Sequence, residues 1–150
     1  MAAPLADVLN EHERACADAR ETLRHAADRA HSPSLRSTFE QQANFFEECC
    51  ESLQGLVIQL DETPAQSGTS AGAVRRGIAA LRDTFTTADD EALLGDCRAS
   101  IDHVAALYRA ALSTVNPDPI NALLARQYLQ IDQIRADFAS YATAFAEPVG

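Results

Sequence analysis

The residues best suited to chemistry in this chain are its thiols and one histidine. Cys16 and Cys49 lie on either side of a His31-Ser32-Pro33 turn. On two antiparallel helices joined by that turn they fall nearly level, with Cys50 and His12 close by. Thiolate and imidazole suit copper or zinc, so His12, Cys16 and Cys49 are candidate ligands of a soft metal site. Against this stands the usual fate of free cysteine, a small buried hydrophobe that fills core space. None of the four cysteines (Cys16, Cys49, Cys50, Cys97) forms a CxxC pair or zinc-ribbon spacing. A Cys16–Cys49 disulfide needs Cα atoms within about 7 Å and a compartment that oxidises thiols.

The same count brings His12, Tyr108 and Gln127 to one level. Each interrupts an otherwise apolar series, and a buried polar group needs a partner. The expectation is a hydrogen-bonded layer that fixes helix register; the sharper alternative is a ligand pocket between the helices. Gln42 is a second polar interruption, nearer the other end. No nucleophile elbow or phosphate-binding loop occurs, and the cysteines have no evident base. Arg75-Arg76, the one adjacent basic pair, reads as surface charge.

Four long segments must position these residues. The first, about 4–30, carries Leu5, Leu9, Cys16, Ala19, Leu23, Ala26 and Ala30, with His12 as its polar member. The second, about 33–60, opens with Ser32 as N-cap and Pro33 at the first helical position. It carries Leu35, Phe39, Gln42, Phe46, Cys49, Leu53, Leu56 and Leu60. A segment at about 88–115 follows Thr87 as expected cap and carries Leu94, Cys97, Ile101, Val104, Tyr108, Ala111 and Val115. The last, about 119–146, carries Ile120, Leu124, Gln127, Ile131, Ile134, Phe138, Tyr141 and Phe145. Steps of three and four alternate throughout, the seam of a helix bundle.

Connection lengths choose the topology. Turns at 31–33 and 116–119 make antiparallel neighbours. Between the pairs lies a long connection with an amphipathic helix expected at about 71–85 (Val74, Ile78, Leu81, Phe85). Such a crossover returns the chain to its starting end and leaves the second and third long helices parallel. This is an all-α, ferritin-like four-helix bundle, read as a single domain over 1–150.

The crossover string SAGAVRRGIAALRDTF with ADDEALLGDC, the Tyr108-Arg109-Ala110-Ala111-Leu112 helix end and Arg126-Gln127-Tyr128 carry a resemblance over nearly the whole chain. It resembles a bacterial ferritin-like four-helix-bundle family of unknown function. The resemblance implies the ferritin-like fold and supplies no activity. This chain places Ser100 and Ile101 where such relatives tend to carry acidic residues, and Arg135 near a recurring histidine.

A ferritin-like di-metal centre needs a Glu from each of two helices and Glu-x-x-His from each of the other two. No Glu-x-x-His occurs: Leu9, Thr22, Asp28 and Ser100 stand three residues before His12, His25, His31 and His103. Iron or manganese is therefore less expected than copper or zinc, and the principal expectation is no cofactor. Glu21, Glu40, Glu47, Glu48, Glu51 and Asp132 fall off the seams and read as a solvated face.

The net charge is −10, and the twelve basic residues are all arginines. That balance excludes a nucleic-acid footprint and suits an anionic membrane surface poorly. No apolar run approaches a membrane span, so a cytoplasmic location is expected. The functional expectation is a non-catalytic bundle acting through self-association or a protein partner, with an exposed apolar patch around Phe45, Tyr141 or Phe145. A metal- or small-ligand-binding bundle is the alternative.

Overall fold

Side-chain size decides how closely the helices of this protein approach one another. In the computed structural model, which describes residues 5–60 and 89–146, the elements are α1 (Leu5–Arg29), α2 (Pro33–Gln59), α3 (Asp90–Leu112) and α4 (Asp118–Ala146). Together they form an all-α four-helix bundle. The buried surface of α1 is made largely of Ala15, Cys16, Ala17, Ala19, Ala26 and Ala27. Such short side chains let α2 and α3 pack closely on α1, and the α1–α2 contact is the most extensive in the bundle. The backbones of α2 and α4 barely approach. There the gap is spanned by bulk: the rings of Phe39 and Phe138 meet at 6.0 Å, edge to face.

The seams read from the sequence are the buried faces. Leu9, Leu23, Phe39, Phe46, Leu53, Leu94, Ile101, Leu124, Ile131 and Phe138 are all essentially without solvent contact, each contributing about 1.5–3 kcal/mol relative to exposure. Two expectations at the ends of α3 need correction. Its N-cap is Asp89, whose carboxylate accepts from the Ala92 amide at 2.8 Å, and not Thr87. Val115 is fully exposed, because α3 stops at Leu112 and the seam stops with it. Ser113, Thr114 and Asn116 turn their side chains onto the carbonyls of Ala110 and Ala111, so local hydrogen bonding ends the helix before Val115.

One carboxylate fixes the chain direction. Asp90, in the first turn of α3, accepts from the backbone amides of His31 at 2.7 Å and Ser32 at 2.9 Å. The α1–α2 turn and the start of α3 therefore share one end of the bundle. It follows that α3 runs antiparallel to α1 and parallel to α2, so residues 61–88 join opposite ends. The helix expected at 71–85, the loop before it and the Arg75-Arg76 pair lie outside the described residues. At α2 the expected cap is in place: the Ser32 hydroxyl accepts from the Leu35 amide at 3.2 Å, with Pro33 following. No described helix is long and apolar enough to cross a membrane.

Candidate functional site: a polar layer inside the bundle

The polar residues that interrupt the seams meet in the interior. Tyr108, on α3, is fully buried, and its hydroxyl donates to Gln127 Oε1 on α4 at 2.6 Å. The phenol oxygen has room to accept, and Cys16 Sγ on α1 lies 3.4 Å away. Gln127 Nε2 reaches the backbone carbonyl of Cys49 on α2 at 3.5 Å. The chain from thiol to phenol to amide to carbonyl thus touches all four helices. The His12 ring stands edge-on to Tyr108, with centroids 4.7 Å apart. Gln42 is only half-buried and takes no part in this layer.

His12 has an unequal pair of ring nitrogens. Nδ1 lies 2.8 Å from the Val8 carbonyl, one turn back on α1. A carbonyl can only accept, so Nδ1 carries the hydrogen. Nε2 is buried and has no hydrogen-bond partner among the described residues.

The next residue belongs to the same interior. Glu13 is completely buried, although its type marks it as a surface residue. Gln54 Nε2 donates to its Oε1 at 3.1 Å, and the Cys50 thiol donates to its backbone carbonyl at 3.5 Å. Its Oε2 has no partner among the described residues. Burial pushes the carboxyl above its ordinary range, opposed by the Gln54 hydrogen bond and by Arg20 and Arg14. Glu13, like Asp18 and Ser100, is an interior residue that seam counting passes over, yet for Glu13 a signal exists. Between Leu9 and Cys16 both position 12 and position 13 fall on the inward side of a 3.6-residue repeat, and α1 packs against two neighbours.

The thiols are sealed. Burial pushes the Cys16 thiol well up, and the neighbouring Cys49 thiol acts in the same direction. Burial is also the main cause of the raised values of Cys50, Cys97 and Tyr108. All four cysteines are free and buried. Because the thiolate is the nucleophile and the metal ligand, this environment disfavours both roles. Among the described residues, no three His, Cys, Asp or Glu side chains gather into a group able to hold a metal ion. Cys16 and Cys49 are neighbours across α1 and α2, but His12 turns its Nδ1 back to Val8 and packs edge-on with Tyr108.

Outside the core, Tyr141 and Phe145 are exposed at 36% and 44%, whereas Phe45 is half-buried against Phe46. Leu129, at 72%, is more exposed than either aromatic. The model of a family described as a domain of unknown function, DUF2383, matches residues 5–114. That is well over half of the chain, and the chain belongs to this family. The match takes in α1, α2 and α3 and stops before α4, so Arg126-Gln127-Tyr128 lies beyond it. No curated protein matches the chain.

Proposed function

We propose that this member of the DUF2383 family is a non-catalytic helical bundle that works by associating with protein through α4. The observation that carries this reading is the exposure of Leu129, Tyr141 and Phe145 on a single helix, where a soluble surface gains nothing from them. The interior supports the non-catalytic half. Its thiols and phenol are shut away from solvent, burial holds the Cys16 thiol and the Tyr108 phenol toward their protonated forms, and the hydrogen bonds of the layer are spent on one another. Ferritin-like ancestry is part of the same reading, supported by the end-to-end connection between α2 and α3 that Asp90 implies.

Size analysis of an extract of the source cells tests the proposal. The native chain should run well above its 16.2 kDa monomer mass, and Leu129→Glu should return it to monomer size with its helical content intact. A chain that runs as a monomer in extract overturns the association reading.

A second reading has one observation behind it. The buried, unpartnered Nε2 of His12 is the kind of group that a small polar ligand or a metal would engage. Copper or zinc is favoured over iron or manganese by the nearby thiols. Elemental analysis of reduced, chelator-free protein incubated with each metal tests it; retained copper or zinc, lost on Cys16→Ser, supports it, and no retained metal sinks it.

A further inference from the structure

We infer that Cys16 and Cys49 form a modification site, at which a hydroperoxide oxidises the two thiols to a disulfide that bridges α1 and α2 inside the bundle. The inference is independent of the association reading above. The register of the two helices sets the pair. Glu13 on α1 accepts from the Cys50 thiol at its backbone carbonyl and from Gln54 at its carboxylate, and these partners lie one turn apart on α2. Position 13 is therefore level with position 52, and three residues further along antiparallel helices Cys16 is level with Cys49. Their thiols are in hydrogen-bond contact. A bridge also needs Cα atoms about 4.4–6.8 Å apart. Ala15, Ala17 and Ala19 are the buried neighbours of Cys16, and the α1–α2 contact is the most extensive in the bundle. This pair of helices thus offers the short backbone separation that a bridge requires.

The other thiols are poorer partners. Cys49 and Cys50 are consecutive in a helix, with Cα atoms about 3.8 Å apart, too close for the bridge. The Cys50 thiol is turned to the Glu13 carbonyl at 3.5 Å. Cys97 is remote. About 16 Å of α3 separates it from Tyr108, the α3 residue that touches Cys16.

The reaction closes on these two sulfurs. One thiol, as its thiolate, attacks an oxygen of hydrogen peroxide. The O–O bond breaks, a sulfenic acid forms, and the departing hydroxide takes the thiol proton as water. The partner sulfur then attacks the sulfenic sulfur. The S–S bond forms, the S–O bond breaks, and a second water leaves with the partner's proton. The two thiols lose two electrons, and the peroxide is reduced to two waters. The Cys16 hydrogen that is lost is the one held toward the Tyr108 oxygen, so oxidation joins α1 to α2 and removes a hydrogen bond from α1 to α3. Burial keeps the Cys16 thiol protonated, and the closed core therefore reacts slowly. Peroxide, little larger than water, enters by local opening. The same burial then shields the disulfide from an attacking thiolate.

The test uses the full chain, folded and reduced, treated with hydrogen peroxide and then unfolded in N-ethylmaleimide. Two of its four thiols should take up the maleimide. Cleavage after arginine releases Cys16 in 15–20, Cys49 and Cys50 together in 37–75, and Cys97 in 83–98, and the first two peptides should be found joined. The link should survive Cys50→Ala and be lost in Cys49→Ala. The oxidised chain should unfold at higher urea than the reduced one, and unfolding in dithiothreitol followed by refolding should restore the reduced midpoint. Four free thiols after peroxide, a link that persists in Cys49→Ala, or a link to peptide 83–98 overturns the assignment. An oxidised chain that unfolds at lower urea overturns it as well.

Discussion

Tyr108 is the residue through which the interior layer is most exposed to test. Its hydroxyl serves Gln127 at 2.6 Å and Cys16 at 3.4 Å, so Tyr108→Phe leaves a buried amide oxygen without its donor. The expected loss is about 1–3 kcal/mol, because an abandoned buried partner bears its full desolvation penalty. Adding Gln127→Met removes that partner with little change of shape, and the double variant should recover most of the loss. Urea unfolding of the two single variants and the double variant checks this; purely additive losses would mean that the 2.6 Å contact contributes nothing specific. Glu13 makes a different prediction. Its folded carboxyl titrates above the ordinary value of 4.5, so the folded state binds the proton more tightly than the unfolded chain does. The linked stabilisation is fully present below that ordinary value and is lost as pH rises through the raised one. Gln54 and Cys50 from α2, and Arg14, Asp18 and Arg20 on α1, surround this group. Relative to wild type, Glu13→Gln should therefore be the more stable at neutral pH and lose that advantage in acid. The difference between the two urea midpoints, followed from pH 4 to 8, reads it directly, and a difference that does not change with pH would place the carboxylate in contact with solvent.

At the scale of the element, two glycines stand where helices gain nothing from them. Gly55 in α2 and Gly95 in α3 have nothing within 4 Å of an added Cβ. Each should accept alanine and stabilise the bundle by about 0.5–1 kcal/mol, the helix-propensity difference between the two residues; thermal unfolding of Gly55→Ala and Gly95→Ala checks this. Periodicity reports helices well because burial follows it directly, which is why the seams from Leu9 to Ala30 and from Ile120 to Phe138 could be read from the sequence. Ends are decided by local competition, and there the sequence misleads. Thr87 and Asp89 are both good caps by residue type; Asp89 is the one that accepts from the Ala92 amide, and Asp90 beside it binds the His31 and Ser32 amides. Val115 continues the spacing on paper, yet Ser113 and Thr114 have already taken back the carbonyls of the last turn. Glu13 escaped notice because a seam one residue wide cannot describe a helix that is packed on both α2 and α3. Tyr108 and Gln127 were legible together because each broke an apolar series at the same depth. The direction of their hydrogen bonds, and the turning of His12 toward Val8, depend on side-chain rotamers, which spacing does not encode.

At the scale of the whole molecule, the four thiols act as reporters spread over three helices: Cys16 on α1, Cys49 and Cys50 on α2, and Cys97 on α3. All are buried in one core, so a reagent that needs thiolate reaches them only when the bundle opens. In native buffer a disulfide reagent such as Ellman's should react with essentially none of them, and urea should raise all four reactivities in parallel with loss of helicity. If Cys97 instead labels ahead of Cys16, Cys49 and Cys50, α3 separates from the α1–α2 pair before the bundle unfolds. That outcome has a structural route, since the α1–α2 contact is the more extensive. Labelling also tests assembly without any substitution. A second copy that binds only the folded chain stabilises it by mass action, so self-association would lower the rate of thiol reaction as protein concentration rises. A rate independent of concentration would mean that the opening measured is that of a lone bundle, and that α4 has no partner of its own kind.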